Sequence, residues 1–280
     1  MAKKVTSGNR SARKSRPKKR RKGRKKKGDS RIILWITAAF IIILGIIISL
    51  PYIKDKKLSE TGASVPAGAY CYGIDISHYQ HSVEWDSLMV MTDGRSRTTN
   101  SITHSRNIRP VSYVFIKATE GINLKDKKFR HHWKKAEERD IRRGAYHFFR
   151  SSKDPEMQAD FFIKTVGPLR YKDLPPVLDI ETIHRGCSYK ELNEKALIWL
   201  KKVEKHYGRK PIVYSSASFI EKVLCEEITS GYPIWVAHYE TDAPRCSRWH
   251  FWQFTDKAIV HGVDGPVDLN VCTLEILDRL

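Results

Sequence analysis

Two carboxylic acids, Asp179 and Glu181, stand two residues apart directly after the apolar run PPVL. In a β-strand, residues two apart project from the same face, so both side chains would enter one partly dry site. Two neighbouring carboxylates repel each other when both are ionised, and burial disfavours charge, so one pKa should rise and one group should keep a proton near neutral pH. Cleavage of a glycosidic bond needs this combination of an acid and a carboxylate.

Further titratable groups follow other predicted strands. Asp75, Glu120 and Asp268 lie at or near strand ends, together with His147 and His238. A single D-x-E motif fits a salt-bridged strand end or a metal site as well as it fits catalysis. Several acids at successive strand ends favour catalysis, because enzymes with parallel barrels carry their chemistry at the C-terminal ends of the strands.

Aromatic residues accompany these acids along the strands. Rings that line a groove suit stacking on sugar faces, although about half of such strand aromatics are expected to be ordinary core. The set consists of Tyr79, Tyr113, Tyr146, Phe148, Tyr214, Trp235, Tyr239 and Trp252.

The sequence gives no sign of a metal or an organic cofactor. HExxH, paired CxxC, G-x-S-x-G and P-loop motifs are all missing, and His131-His132 sit beside lysines on a predicted solvated helix face. We therefore expect no metal and no cofactor. The five cysteines show no pairing pattern, so disulfides and buried thiols both remain open.

The elements that would position these residues alternate between strand and helix. Near-continuous apolar strands between amphipathic helices indicate a mainly parallel sheet. Five βα units followed by three strands predict an α/β fold, an irregular TIM-like (β/α)5β3 barrel. The predicted strands are Tyr72–Ser77, Val111–Thr119, Gly144–Phe149, Pro176–Glu181, Pro211–Ser216, Pro233–Tyr239, His250–Phe254 and Val267–Val271.

Helix signals lie between these strands. Asp154 before Pro155 is a typical N-cap, and Ser188 with Glu191 forms a capping box for a helix that ends at Gly208. Segment 93–110 is polar and is predicted to be an exposed loop insertion. The predicted helices are 85–91, 126–140 with Phe129, Trp133 and Ala136 on one face, 154–166, 188–208 and 218–228.

The N-terminal region differs sharply from the remainder of the chain. The chain has 280 residues and a formal net charge of +20, and most of this charge lies in residues 1–31. The next 19 residues, 32–50, carry no charge and approach the length of about 20 apolar residues that crosses a bilayer. We predict a basic cytoplasmic tail (1–31), a transmembrane helix (32–53), a linker (54–69) and a barrel (70–280).

Positive charge on the N-terminal side of the span predicts a single-pass protein with a cytoplasmic N-terminus and an extracytoplasmic barrel. A cleaved signal peptide is the less favoured alternative, because its apolar stretch is shorter and is followed by an A-x-A site. No aromatic residue interleaves the basic run, so we expect contact with anionic lipid and no nucleic-acid binding. The composition, 41% hydrophobic with five cysteines, excludes wholesale disorder and a disulfide-dense miniprotein.

Eight motifs, in their order along residues 72–280, resemble glycoside hydrolase family 25, the Chalaropsis-type lysozymes. They are YGIDISHYQ, VFIKATEG followed by Asp126, GAYHFF, PPVLDIE, PIVYSS, IWVAHY, WQF and VDLN. The resemblance implies hydrolysis of the β-1,4 bond between N-acetylmuramic acid and N-acetylglucosamine. Peptidoglycan glycan strands are then the expected partner, and we expect a monomer.

The resemblance also implies roles for individual residues. Glu181 would be the general acid, Asp179 its partner carboxylate, and Asp75 and Asp268 would complete the acidic site. Tyr146, Tyr214 and Trp235 would bind substrate, and we add the strand aromatics Tyr113 and Trp252 to this set. Glu120, in the K-A-T-E-G turn, is expected to support the site rather than to catalyse.

Two departures from the family pattern concern substrate preference. His81 follows D-I-S-H-Y-Q where the family usually has Pro, Gly or Glu, and segment 93–110 replaces a shorter link.

A catalytically inactive, membrane-tethered peptidoglycan-binding protein is the main alternative. A chitinase-like barrel is a third one, but the D-x-x-D-x-D-x-E pattern of chitinases does not occur. Inverting, retaining and substrate-assisted mechanisms all remain open.

Overall fold

A computed structural model describes residues 62–280, together with the helical residues 42–45 and 47–48. The predicted cytoplasmic tail 1–31 and most of the predicted transmembrane segment 32–53 lie outside the described residues. Within the described ranges, no helix combines the length and the hydropathy that a membrane crossing requires. The predicted anchor therefore stays a prediction.

Eleven strands and six α-helices make up residues 62–280. The strands are β1 (Cys71–Ile76), β2 (Met89–Thr92), β3 (Thr98–Thr99), β4 (Asn107–Glu120), β5 (Leu124–Lys125), β6 (Arg142–Phe148), β7 (Val177–Asp179), β8 (Ile212–Ser216), β9 (Ile234–Ala237), β10 (Phe251–Ala258) and β11 (Val267–Cys272). The helices are α1 (Phe129–Glu138), α2 (Pro155–Val166), α3 (Tyr189–Tyr207), α4 (Ala217–Lys222), α5 (Glu226–Gly231) and α6 (Leu274–Arg279).

Eight of these strands close into a barrel. From β1 the ring runs through β4, β6, β7, β8, β9 and β10 with parallel pairing throughout. The last strand, β11, is antiparallel to both β10 and β1 and closes the ring. The predicted eight-stranded α/β barrel is confirmed, and each of its strands overlaps one of the predicted segments.

Strand alternation divides the apolar residues into two cores. An inner cluster lies inside the barrel and includes Tyr113, Phe115 and Phe251. An outer cluster between the strands and the surrounding layer includes Ile74, Trp199 and Leu269. Gly73 is required on the inner side, because a Cβ at this position would lie 2.2 Å from the Tyr113 ring.

The predicted helix caps agree with the structure. The Asp154 side chain accepts a hydrogen bond from the Met157 backbone N–H at the start of α2. Ser188 Oγ accepts one from the Glu191 N–H at the start of α3, which ends at Gly208 with a φ of 65°.

The predicted helix 218–228 is broken into the two short helices α4 and α5. At the break, the Asn193 side chain donates to the Val223 carbonyl and accepts from the Cys225 N–H.

The region between the first two barrel strands differs from its prediction. The predicted helix 85–91 is a single 3-10 turn, Trp85–Ser87, followed by strand β2. Segment 93–110, predicted to be an exposed loop, contains β3 and the start of β4, and β2 pairs with both. Val90 of this small antiparallel sheet and Leu88, which directly precedes β2, pack into the outer core.

The last residues of the predicted linker 54–69 contact this small sheet. Ser64 forms a β-bridge with Arg97, and the Thr98 N–H donates to the Ala63 carbonyl at 2.8 Å. Arg97 Nε also donates to the Gly62 carbonyl. Among the described residues, contacts with the small sheet extend back to residue 62.

Candidate active site

All four predicted carboxylic acids line one open cavity at the C-terminal ends of the parallel strands. The cavity has a volume of about 480 Å³, and Asp75, Asp179, Glu181 and Asp268 lie on its wall together with Asp256. Lys117 is the one cation among the lining residues that the structure describes. A cavity so rich in carboxylates suits a reaction that needs both a proton donor and negative charge.

Asp179 and Glu181 reach the cavity from the end of β7. Asp179 pairs in register with Phe148 of β6 and Tyr214 of β8, and its side chain is buried. Beyond the strand, the Ile180 N–H still bonds the Tyr214 carbonyl at 3.0 Å. Pairing with β8 therefore continues for one residue beyond the strand, and Glu181 follows as an exposed residue at the mouth of the cavity.

Burial raises the pKa of Asp179 well above its ordinary value, and the neighbouring Glu181 adds to this effect. Asp179 Oδ1 is buried and has no hydrogen-bond partner among the residues that the structure describes. The pKa of Glu181 is also raised, mainly by partial burial, while the nearby Tyr214 hydroxyl and the charge of Lys117 act in the opposite direction. The pair therefore holds a proton more tightly than two isolated acids would.

Asp75 and Asp268 form a second carboxyl pair across β1 and β11, where they are direct partners in register. Gln253 Nε2 and Asn270 Nδ2 each donate to Asp75 Oδ2 at 2.8 Å. Burial raises the pKa of Asp75 to about 6, although these donors and Asp268 oppose the rise. Burial and the adjacent Asp75 raise the pKa of Asp268 to about 9. Near neutral pH the pair thus holds one proton between its two carboxyl groups.

Lys117 is a site residue that sequence reasoning missed. Its Nζ lies 2.8 Å from Glu120 Oε2 and 4.9 Å from the centre of the Phe148 ring. Burial alone would raise the pKa of Glu120, but the hydrogen bonds from Lys117 and Arg150 lower it. Glu120 thus holds Lys117 in place and does not itself line the cavity. The alternation of Tyr113, Phe115 and Lys117 along β4 was a usable signal for an inward-pointing lysine.

Two amides connect the acids with the aromatic residues. Gln253 Oε1 accepts hydrogen bonds from the hydroxyl groups of Tyr214, at 2.8 Å, and Tyr239. Asn270 Oδ1 accepts one from Trp235 Nε1, also at 2.8 Å. Because each amide bonds Asp75 with its nitrogen, its orientation is fixed at both ends. The WQF and VDLN motifs contained these amides, but the sequence analysis gave them no role.

The predicted substrate-binding aromatics divide into two groups. Tyr146, Tyr214 and Trp235 line the cavity as expected. Tyr113 also points into the barrel, but it lies at the level of Arg142 near the start of β6 and is fully buried against Phe251. Tyr113 therefore does not line the acid-lined cavity, because alternation gives the direction of a side chain and not its depth in the barrel.

Trp252 is the second predicted aromatic residue that does not line the acid-lined cavity. Its neighbours along β10, Phe251 and Gln253, point into the barrel, so Trp252 points outward. Its Nε1 donates to the His238 carbonyl at 2.8 Å, and its ring packs beside Trp249 and Phe254. The ring lies outside the acid-lined cavity.

The two histidines at strand ends also lie outside the acid-lined cavity. His147 points outward between Thr119 and the Gln158 side chain, and burial lowers its pKa to about 4, so it is neutral. His238 lines a neighbouring cavity. Within the described part of the chain, no group of three or more His, Cys, Asp or Glu side chains is arranged to hold a metal ion.

This arrangement defines a class of protein. An open cleft with carboxyl groups of raised pKa, flanked by tyrosine and tryptophan side chains, at the C-terminal end of a β/α barrel is the site of a glycoside hydrolase. The family model for glycosyl hydrolases family 25 matches residues 74–263. The chain belongs to this family.

Similar proteins support the assignment. The chain is 40% identical to the uncharacterized protein YegX of Escherichia coli K12 over 219 residues, which cover 77% of this chain and 74% of YegX. It is 33% identical to Lysozyme M1 of Streptomyces globisporus, over 71% of this chain and 66% of that protein. Among solved structures, the bacterial lysozyme from Streptomyces coelicolor matches with a TM-score of 0.62 and 29% identity, over 75% of this chain and 96% of that chain.

Proposed function

We propose that this glycoside hydrolase is a membrane-tethered muramidase that cleaves the β-1,4 bond between N-acetylmuramic acid and N-acetylglucosamine in peptidoglycan. The observation that carries the proposal is the convergence of Asp75, Asp179, Glu181 and Asp268 in one cavity, where Lys117 is the one cation among the described lining residues. The names of the relatives support the substrate, since they include Lysozyme M1 and an autolytic lysozyme from Clostridium acetobutylicum.

Glu181 protonates the glycosidic oxygen in this proposal. Its position at the mouth gives it access to a polymer that lies along the cleft, and its raised pKa favours the protonated form. In the free protein, the deeper burial of Asp179 favours the proton on Asp179. Bound substrate would cover Glu181, and the positive charge developing on the sugar would favour an ionised Asp179. Both effects move the proton towards Glu181, where it is used.

Asp179 then supplies the negative charge beside the oxocarbenium-like centre, alone or together with the N-acetyl group of the substrate, and water completes the hydrolysis. The hydrogen bonds of Gln253 hold Asp75 and Tyr214 in place beside the two acids. Tyr146, Tyr214 and Trp235 offer ring faces to the sugars.

Membrane tethering and location complete the proposal. The support comes from the sequence, where 16 Lys and Arg residues precede the uncharged stretch 32–50. This pattern favours a cytoplasmic N-terminus and a catalytic domain outside the cytoplasm, where peptidoglycan is present. A protease added to intact spheroplasts should then degrade residues 62–280 and leave the basic tail protected. Protection of the whole chain would contradict this orientation.

The decisive experiment identifies the reaction product. The purified full-length chain is incubated with peptidoglycan, and the released muropeptides are analysed by mass spectrometry. We expect reducing-end muramic acid, and Glu181→Gln should lower its rate of release by about 10²–10⁴-fold. The matched control is Glu194→Gln on the exposed side of α3, which should release product at the wild-type rate.

Three results would count against the proposal. Reducing-end glucosamine would identify a different bond, and normal release by Glu181→Gln would remove Glu181 from the mechanism. Peptidoglycan binding without any release by the wild-type chain would support the inactive binding protein instead.

A further inference from the structure

Tyr79 is an exposed aromatic residue on the rim of the acid-lined cavity. Its side chain is 72% exposed, and the residue contributes to the cavity wall beside Gln80 and Ser77. A single exposed ring is common on protein surfaces and by itself has no functional meaning. The surroundings of Tyr79, however, hold the ring in one orientation.

His78 and Asp126 fix this orientation. The rings of His78 and Tyr79 are in contact in a tilted arrangement, with their centres 4.1 Å apart and their planes 33° apart. His78 Nδ1 donates to Asp126 Oδ2 at 2.8 Å, and the His78 backbone N–H donates to the same oxygen at 2.9 Å. The Asp126 side chain is only 1% exposed, and its backbone N–H bonds the Ala118 carbonyl of β4. One face of Tyr79 is thus supported from the barrel wall, and the other remains free.

The backbone around Tyr79 is held as well. Lys128 Nζ donates to the carbonyl oxygens of Gln80, at 2.6 Å, and His81, at 3.0 Å. The Ser77 N–H donates to Gln80 Oε1 at 2.8 Å. A ring that is fixed before binding loses little conformational entropy when a ligand covers it, so it binds more strongly than a mobile ring would.

We propose that Tyr79 is a stacking platform for a sugar ring of the glycan strand outside the bond that is cleaved, and that His78 and Asp126 are positioning residues for this platform. The proposal rests on the proposed glycan hydrolysis, because it assigns a binding place along the same cleft. The ligand that fits is an N-acetylhexosamine residue of the polymer, whose apolar ring face would cover the free face of Tyr79. The site therefore favours long glycan strands over fragments too short to reach the rim.

The first test measures steady-state kinetics of the full-length chain on glycan strands and on short oligomers. Tyr79→Ala should raise KM for long strands about fivefold with kcat nearly unchanged, because a stacking contact contributes about 1 kcal/mol in binding. Tyr79→Trp should restore the wild-type KM. The control is Tyr171→Ala, which removes an aromatic ring that is 92% exposed and lies away from the acid-lined cavity. This control should leave both constants unchanged.

The second test separates positioning from general stability. His78→Ala should raise KM about threefold in the wild-type background and have no further effect in Tyr79→Ala, because its role acts through Tyr79. An equal effect of His78→Ala in both backgrounds would overturn its positioning role. Thermal unfolding of each variant shows whether the fold is intact, and Tyr79→Phe provides a variant that preserves the ring.

The outcomes distinguish this inference from the proposed function. If the wild-type chain releases no muropeptides, the proposed function fails. If the wild-type chain is active and Tyr79→Ala has the wild-type KM on long strands, the stacking platform fails while the proposed function stands. A loss of kcat without a change in KM would likewise overturn the platform.

Discussion

Buried carboxylates occur near both ends of the barrel, and the two ends compensate their charges differently. Near the start of β6, Asp173 accepts hydrogen bonds from Arg143 Nε at 2.7 Å and from the Arg170 backbone N–H at 2.8 Å. Arg143 also donates to the Trp133 carbonyl and lies 4.3 Å from the centre of the Trp133 ring. This ion pair is complete, because each charged group has an opposite charge and further hydrogen bonds.

At the other end, Asp75, Asp179 and Asp268 are buried or nearly so in a cavity that has Lys117 as its cation. Lys117 in turn is held by Glu120, which lies outside the cavity wall. Burial therefore raises the pKa values of these acids, which disfavours their charged forms and suits a site for proton transfer. The comparison indicates that the N-terminal end of the barrel stabilises the fold and that the C-terminal end is adapted to chemistry.

The largest expected effect is the loss of activity in Asp179→Asn. An amide cannot supply negative charge to the transition state, so muropeptide release should fall by about 10²–10⁴-fold. The free energy of unfolding should stay equal to the wild type or rise by about 1 kcal/mol, because a buried acid without a full set of partners is removed. Initial rates and urea unfolding measure the two quantities.

The matched control for this prediction is Asp160→Asn, which changes an exposed aspartate on α2. It should change neither the rate of muropeptide release nor the free energy of unfolding appreciably. A rate for Asp179→Asn within twofold of the wild type would contradict the distinction between the two ends, since Asp179 would then be an ordinary buried acid.

The next effect concerns stability at the other end of the barrel. Arg143→Met leaves Asp173 buried without its guanidinium partner and should lower the free energy of unfolding by about 3–5 kcal/mol. The rate per folded molecule should not change, because neither residue lines the acid-lined cavity. The double variant Arg143→Met with Asp173→Leu should regain much of the loss, because no unpaired charge is left. A stable single variant would show that the ion pair contributes little.

The sequence predicted the architecture well because strand periodicity is a local property. Each of the eight barrel strands was located, and the acids at the predicted strand ends, Asp75, Asp179 and Asp268, line one cavity. The capping residues Asp154 and Ser188 were also correct, because a cap depends on contacts within one helical turn.

The failures involve contacts between distant segments. Strands β2 and β3 are short, and their pairing depends on β4 and on the chain after β10, as the bridge between Met89 and His261 shows. The depth of Tyr113 in the barrel follows from the register between strands, which alternation within one strand does not contain. Lys117 was missed for a related reason, since its role depends on Glu120 and Asp179 meeting it in space.

The smallest expected effect is a change in how stability depends on pH. Burial and Asp75 raise the pKa of Asp268 to about 9 in the folded protein, above its ordinary value of 3.8. Between these values the folded state binds more protons than the unfolded state, so the free energy of unfolding falls as pH rises. Buried histidines such as His147 have lowered pKa values and act in the opposite direction below about pH 6.5. The window from pH 7 to 9 is therefore the place to observe Asp268.

Urea unfolding of the wild type and of Asp268→Asn at pH 7, 8 and 9 measures this effect. Across the window the wild type should lose about 1–2 kcal/mol more than the variant, because a retained proton contributes at most about 1.4 kcal/mol per pH unit. Thiols such as Cys272 and the lysines titrate equally in both proteins, so the difference between them isolates the carboxyl pair. Parallel pH dependences would mean that Asp268 is ionised at pH 7. The C-terminal end of the barrel would then tolerate its negative charges as well as the N-terminal end tolerates its ion pair.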